Sequence, residues 1–100
     1  MKSINAADIP ALDTEKVLLL DIRSREEFER SGLKGSVNVP FDEISTGLSK
    51  LPKDKPVYVL CRTGDLSGEV AEILEDREYD VYNIDGGYAA YIVSLASAGL

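Results

Sequence analysis

The chain reads as an α/β protein with a parallel sheet covered by helices on both faces. Three observations predict this. Val17-Leu18-Leu19-Leu20-Asp21-Ile22 is a nearly continuous apolar run whose length suits a strand buried on both faces. Two shorter runs of the same kind follow, Val57-Tyr58-Val59-Leu60 and Val81-Tyr82-Asn83-Ile84. The stretches between these runs carry apolar residues at helical spacing, so strands and helices alternate.

Asn5 to Leu12 reads as a short helical turn, with Asn5 in the N-cap position and Asp8 in the first turn. After the 17–22 strand, Ser24 to Arg30 is charged and helix-forming, with Phe28 facing in, and Gly32 and Gly35 break it. Val37-Asn38-Val39 is a short strand ended by Pro40. Asp42 to Leu51 carries Ile44, Leu48 and Leu51 at helical spacing and is stopped by Pro52. Lys53 to Pro56 is a turn before the 57–60 strand. Ser67 to Arg77 is a helix with Val70, Ala71, Ile73 and Leu74 on one face. The 81–84 strand leads into a tight loop, Asp85-Gly86-Gly87, and a last helix, Tyr88 to Ala98, with Tyr88, Tyr91, Ile92 and Leu95 on one stripe. No repeat, linker or low-complexity segment interrupts this order, so residues 1–100 are expected to form one domain.

Charge and rare residues exclude several function classes. The net charge is −7, which argues against nucleic acid or an anionic membrane as a partner. Lys50, Lys53 and Lys55 cluster, but Asp54 interrupts them and they read as a solvated turn. No apolar run approaches a membrane span, and Met1 to Asn5 lacks the apolar stretch of a signal peptide, so the cytoplasm is the expected compartment. There is no histidine, which removes Cys-His and Ser-His-Asp catalysis and histidine metal ligation. A single cysteine removes an internal disulfide and a cysteine zinc cluster. Neither a metal nor another cofactor is expected.

In parallel sheets ligands bind beyond the carboxyl ends of the strands. Asp21, Cys61 and Asp85 each lie at such an end and are expected to approach one crevice. Cys61 is the candidate nucleophile. It follows a strand and opens the loop Cys61-Arg62-Thr63-Gly64-Asp65-Leu66-Ser67, which runs into a helix. Converging backbone N–H groups, a helix N-terminus and the adjacent Arg62 favour an ionised thiol there. The alternative is a buried cysteine that packs as a small hydrophobe. Arg62 is either a surface arginine or a partner for an anionic substrate. Thr63 and Ser67 offer hydroxyls to an anion or to sulfur, or cap the helix. Gly64 is expected to take a positive φ so that the loop can curl. Asp65 opposes both anion binding and thiolate formation, so it is read as an N-cap whose side chain turns to solvent.

Four blocks resemble the rhodanese family, in order and over nearly the whole length. Leu20-Asp21-Ile22-Arg23 with Glu27-Phe28 resembles its first block, and Leu33-Lys34-Gly35-Ser36-Val37-Asn38-Val39-Pro40 its second. Cys61-Arg62-Thr63-Gly64 resembles the loop whose cysteine carries sulfur, and Asp85-Gly86-Gly87-Tyr88-Ala89-Ala90-Tyr91 the closing Gly-Gly block. The resemblance implies a five-stranded, mostly parallel sheet and sulfurtransferase chemistry through a persulfide on Cys61. It implies that the amides from Arg62 to Ser67 surround the sulfur and bind substrate. Asp21 and Arg23 are implied to be support residues that tie neighbouring loops to the active-site loop. Two positions depart from the pattern: Gly32 stands where histidine is frequent, and Leu66 where many members carry a second arginine.

The implied reaction moves sulfane sulfur from thiosulfate, polysulfide or a thiol persulfide to a thiol, a protein sulfur acceptor or cyanide. Leu66 and Asp65 shift the expected donor from dianionic thiosulfate towards a thiol persulfide. A Cys-dependent phosphatase or arsenate reductase is a further alternative, but it needs an arginine clamp six residues after the cysteine, where this chain has Ser67. A non-catalytic interaction module is the other alternative. The chain also resembles rhodanese domains fused to larger redox enzymes, including flavin-dependent disulfide reductases.

Overall fold

The computed structural model describes residues 1–99. It shows strands β1 (Lys2–Asn5), β2 (Leu18–Asp21), β3 (Val37–Asn38), β4 (Val57–Leu60) and β5 (Val81–Asp85). The helices are α1 (Arg25–Ser31), α2 (Ile44–Gly47), α3 (Asp65–Asp76) and α4 (Gly87–Ser97). The strands form one sheet in the order β1-β5-β4-β2-β3, and every neighbouring pair is parallel.

Side chains along each strand alternate between two cores. On one face Leu18, Leu20, Ile22, Val57, Val59, Cys61 and Val81 pack with Val70, Ala71 and Leu74 of α3 and with Ile44, Leu48 and Leu51 around α2. On the other face Leu19, Leu60 and Ile84 pack with Ala6 and Ile9 and with Tyr88, Ala90 and Tyr91 of α4. All four residues of β2 are buried, which is why this strand shows no polar alternation in the sequence.

Several expectations need correction. β1 was not foreseen. Its only apolar residue is Ile4, and its burial pattern is nearly all exposed, so its backbone pairing with β5 holds it rather than a hydrophobic face. Asn5 precedes a 3₁₀ turn over Ala6–Ala11, but its side chain makes no capping bond. The 42–51 stretch is not one helix. It is a 3₁₀ turn (Phe41–Glu43), the single turn of α2 and another 3₁₀ turn (Leu48–Lys50), although Ile44, Leu48 and Leu51 are all buried as their spacing predicts. α3 begins at Asp65, not at Ser67. Ile73 and Ile92, placed on inward stripes, are exposed. Ala90 joins the α4 core side instead.

Candidate active site

Cys61 follows the last residue of β4 and is 4% exposed. Strand alternation alone aims it at the α3 face, after Val57 and Val59. It nevertheless reaches a pocket of about 390 Å³ lined by Ile22, Arg23, Ser24, Glu27, Cys61, Arg62, Thr63 and Leu66.

The loop after Cys61 curls back over the sulfur. Gly64 has φ +96° and caps α3, the conformation expected of it. A Cβ there would lie 2.9 Å from the Gly86 backbone nitrogen, so glycine is required by space as well as by dihedral. The Gly64 N–H donates to Cys61 Sγ at 3.0 Å, and the Ser67 N–H does so at 3.3 Å. These two amides, at the start of α3, face the sulfur where negative charge would sit.

Ser67 is fully buried. Cys61 Sγ donates to its Oγ at 3.3 Å, and that hydroxyl donates to Asn83 Oδ1 at 2.5 Å. Asn83 Nδ2 in turn donates to Gly64 O at 3.3 Å and to Asp85 Oδ1 at 2.9 Å. Asn83 therefore closes a polar chain from the sulfur back to the loop. It was not singled out from the sequence. The available signal was a lone amide between the aromatic Tyr82 and the apolar Ile84. Ser67→Ala should cost about 1–3 kcal/mol, because it leaves a buried Asn83 oxygen without its donor. Urea denaturation measures this, and an unchanged midpoint would refute the role given to the hydroxyl.

Arg23 and Asp21 form a buried pair. The Arg23 Nη2 lies 2.8 Å from Asp21 Oδ2, with side chains 3% and 0% exposed. Asp21 Oδ1 also accepts from the Arg23 backbone N–H and Nε. The guanidinium then reaches Ser31 Oγ and O at the end of α1 and stacks over the Tyr88 ring at 4.1 Å. Tyr88 connects this to the loop, since its N–H donates to Cys61 O at 2.8 Å and the next amide, Ala89, donates to Arg62 O at 3.0 Å. The first turn of α4 thus binds the carbonyls of the cysteine loop, and Gly87 (φ +61°) makes the close approach possible. On the other side, Asn38 Nδ2 donates to the carbonyls of Asp21 and Arg23.

Arg62 is 70% exposed in its side chain and pairs with Glu27, Nη2 to Oε2, at 3.0 Å. It is neither free nor turned onto the sulfur. The Glu27 carboxyl is held below the usual carboxylate range chiefly by its bond from Arg62. Ser24 caps α1 by accepting the Glu27 N–H at 3.1 Å, and its hydroxyl donates to Glu27 Oε1 at 3.3 Å. The Thr63 hydroxyl donates to Asp65 Oδ2 at 3.4 Å, not to the sulfur. Asp65 is exposed as expected, but it is the first helical residue and not the N-cap. Leu66 is exposed on the pocket wall. The expected convergence of Asp21, Cys61 and Asp85 does not occur. Asp21 is sealed behind Arg23, and Asp85 is exposed outside the pocket lining. A strand end gives proximity, but local bonds to Arg23 and Asn83 decide where each carboxylate points. Among the described residues no group of acidic or sulfur ligands could hold a metal ion, and no helix is long and apolar enough to cross a membrane.

A parallel five-stranded α/β frame that presents a strand-end cysteine under a curled, amide-lined loop defines a class, and the comparisons with known proteins agree with it. The profile of the Rhodanese-like domain family matches residues 10–93, and the chain belongs to that family. It is 33% identical over 78 residues to a tRNA sulfurtransferase of Desulfurococcus amylolyticus, covering 78% of this chain but only 15% of that relative. It is 35% identical over 80 residues to a sulfurtransferase of Allochromatium vinosum, covering 79% of this chain and 75% of the relative. The crystal structure of a rhodanese-related protein from Thermoplasma volcanium superposes with a TM-score of 0.83 at 28% identity, covering 92% of this chain and 91% of that one.

Proposed function

We propose that this domain is a sulfurtransferase in which Cys61 carries sulfane sulfur as a persulfide. The observation that supports this most is the pair of backbone N–H groups, from Gly64 and Ser67, directed at a pocket-lining Sγ. The names of the relatives, sulfurtransferase in both cases, point the same way.

In the first half-reaction the Cys61 thiolate attacks the terminal sulfur of a donor. The Sγ–S bond forms, the donor's S–S bond breaks, and the rest of the donor leaves with the bonding electron pair. In the second half, an acceptor thiolate or cyanide attacks the outer sulfur and Cys61 leaves as thiolate. Splitting the transfer in this way is covalent catalysis and predicts ping-pong kinetics. With no histidine in the chain, the protein's part is to stabilise charge on sulfur rather than to shuttle protons through imidazole. The two amides are fixed before the reaction begins and need not reorganise during it. The Ser67 hydroxyl, 3.3 Å away, can rotate from Asn83 towards a charged sulfur. Arg62, Thr63 and Leu66 form walls for the donor, and Asp21 and Arg23 hold the frame. Thiosulfate, polysulfide and thiol persulfides are the candidate donors, and small or protein thiols the acceptors. The match to a small part of a much longer relative supports a role within larger sulfur-transfer enzymes as well.

Intact mass measurement tests the reading. Reduced protein incubated with thiosulfate or glutathione persulfide should gain the mass of one sulfur atom, lose it to cyanide, and show no gain as Cys61→Ser. A gain that persists in Cys61→Ser, or no gain with either donor, overturns it.

A further inference from the structure

The pocket beside Cys61 contains two guanidinium groups, and each is paired with a carboxylate. Arg23 is consumed by Asp21, by two acceptors on Ser31 and by the Tyr88 ring. Arg62, the only other cation in the lining, is held by Glu27. Glu27 is itself held in place, since its Oε1 accepts from Ser24 and its backbone belongs to the first turn of α1. The pair spans two elements that flank the sulfur, α1 and the cysteine loop. It neutralises charge on the pocket wall beside the sulfur. The neighbouring wall residue, Leu66, is apolar, and Asp65 adds negative charge at the start of α3.

We propose that Glu27 sets the donor class: by occupying Arg62 and placing a carboxylate in the pocket, it selects organic thiol persulfides over thiosulfate. This rests on the sulfurtransferase reading. The two donors differ in where their charge lies. In thiosulfate the oxyanion is on the very sulfur bonded to the sulfane sulfur, so it must enter the pocket with the atom that is transferred. In an organic persulfide R–S–SH the corresponding atom is a neutral thioether-like sulfur on carbon, and any carboxylates of R lie several bonds away. The loading step is balanced without an oxidant. The Cys61 thiolate and R–S–SH give Cys61–S–SH and R–S⁻, with the Sγ–S bond formed as the S–S bond of the donor breaks. Like charges a few ångströms apart in a partly buried site repel strongly enough to alter a rate about tenfold.

The test is the ratio of second-order loading rate constants for thiosulfate and glutathione persulfide, followed by intact mass on reduced protein. Glu27→Gln frees Arg62 and removes the carboxylate, so the ratio should move towards thiosulfate by about tenfold. Arg62→Gln leaves Glu27 unopposed, so the ratio should move in the opposite direction. A structural defect would slow both donors together and leave the ratio unmoved. An unmoved ratio in the variants that fold overturns the role of Glu27, and either variant decides if the other does not fold. A wild-type protein that takes sulfur from neither donor instead defeats the sulfurtransferase reading itself.

Discussion

Asp21→Ala should be among the most damaging single substitutions outside the cysteine, lowering the unfolding free energy by about 3–5 kcal/mol. Asp21 is completely buried and accepts from three nitrogens of Arg23. Removing it leaves a guanidinium 3% exposed in its side chain without a counter-charge. Such a charge cannot simply neutralise, because an arginine keeps its proton. Ser31 and the Tyr88 ring remain as partners, but neither carries a charge. The double variant Asp21→Ala with Arg23→Met should recover a large part of the loss, since an apolar replacement of a whole buried pair is often neutral. Urea denaturation of the three proteins measures this. A loss below about 1 kcal/mol for Asp21→Ala, or no recovery in the double variant, would show that the pair is not what holds this corner.

Gly87→Ala should damage both stability and sulfur loading. Gly87 has φ +61°, and a Cβ there would meet Cys61 O at 2.5 Å and the Arg62 carbonyl carbon and oxygen at 2.7 Å. Those atoms are backbone and cannot rotate away. The strained dihedral costs on the order of 1–3 kcal/mol, and the overpacking a similar amount. To relieve the clash, α4 must separate from the cysteine loop, which breaks the bonds from Tyr88 and Ala89 to the Cys61 and Arg62 carbonyls. The amides of Gly64 and Ser67 then lose their fixed aim at the sulfur. Gly68→Ala is the control. It lies in α3 with nothing within 4 Å of an added Cβ, so it should stabilise by up to about 1 kcal/mol. Equal stability and loading in Gly87→Ala and wild type would sink the account of this contact.

How far the sequence reveals this architecture depends on the kind of signal each part carries. β2, β4 and β5 are visible because strands buried on both faces are written as apolar runs. The cysteine loop is visible because cysteine, glycine and the following helix pattern fall together. β1 is not, since an edge strand held by backbone pairing needs no hydrophobic pattern. The internal breaks around α2 are not visible either, because Ile44, Leu48 and Leu51 satisfy helical spacing whether the backbone closes α or 3₁₀ turns. Within the site, the positive φ of Gly64 follows from residue type. The pairing of Arg62 with Glu27, 35 positions apart in sequence, does not. It depends on α1 and the cysteine loop meeting in space, and the reading of Arg62 as an anion partner had no way to include the competing carboxylate. Asn83 escaped for the same reason, as the Ser67 and Gly64 groups that it bonds lie at the start of α3.

The two edges of the sheet carry a last consequence. β3 spans two residues and is followed closely by Pro40, which lacks an N–H to donate. β1 is short, mostly exposed and polar, with Lys2 paired to Asp80 and lying over the Tyr82 ring. Neither edge offers the long, flat, apolar template on which a second chain can add a strand. The highly apolar β2 and β4, which would aggregate readily if exposed, lie inside the sheet order. The fold therefore keeps its stickiest backbone away from intermolecular pairing and leaves the pocket beside Cys61, not the sheet edge, as the open face of the domain.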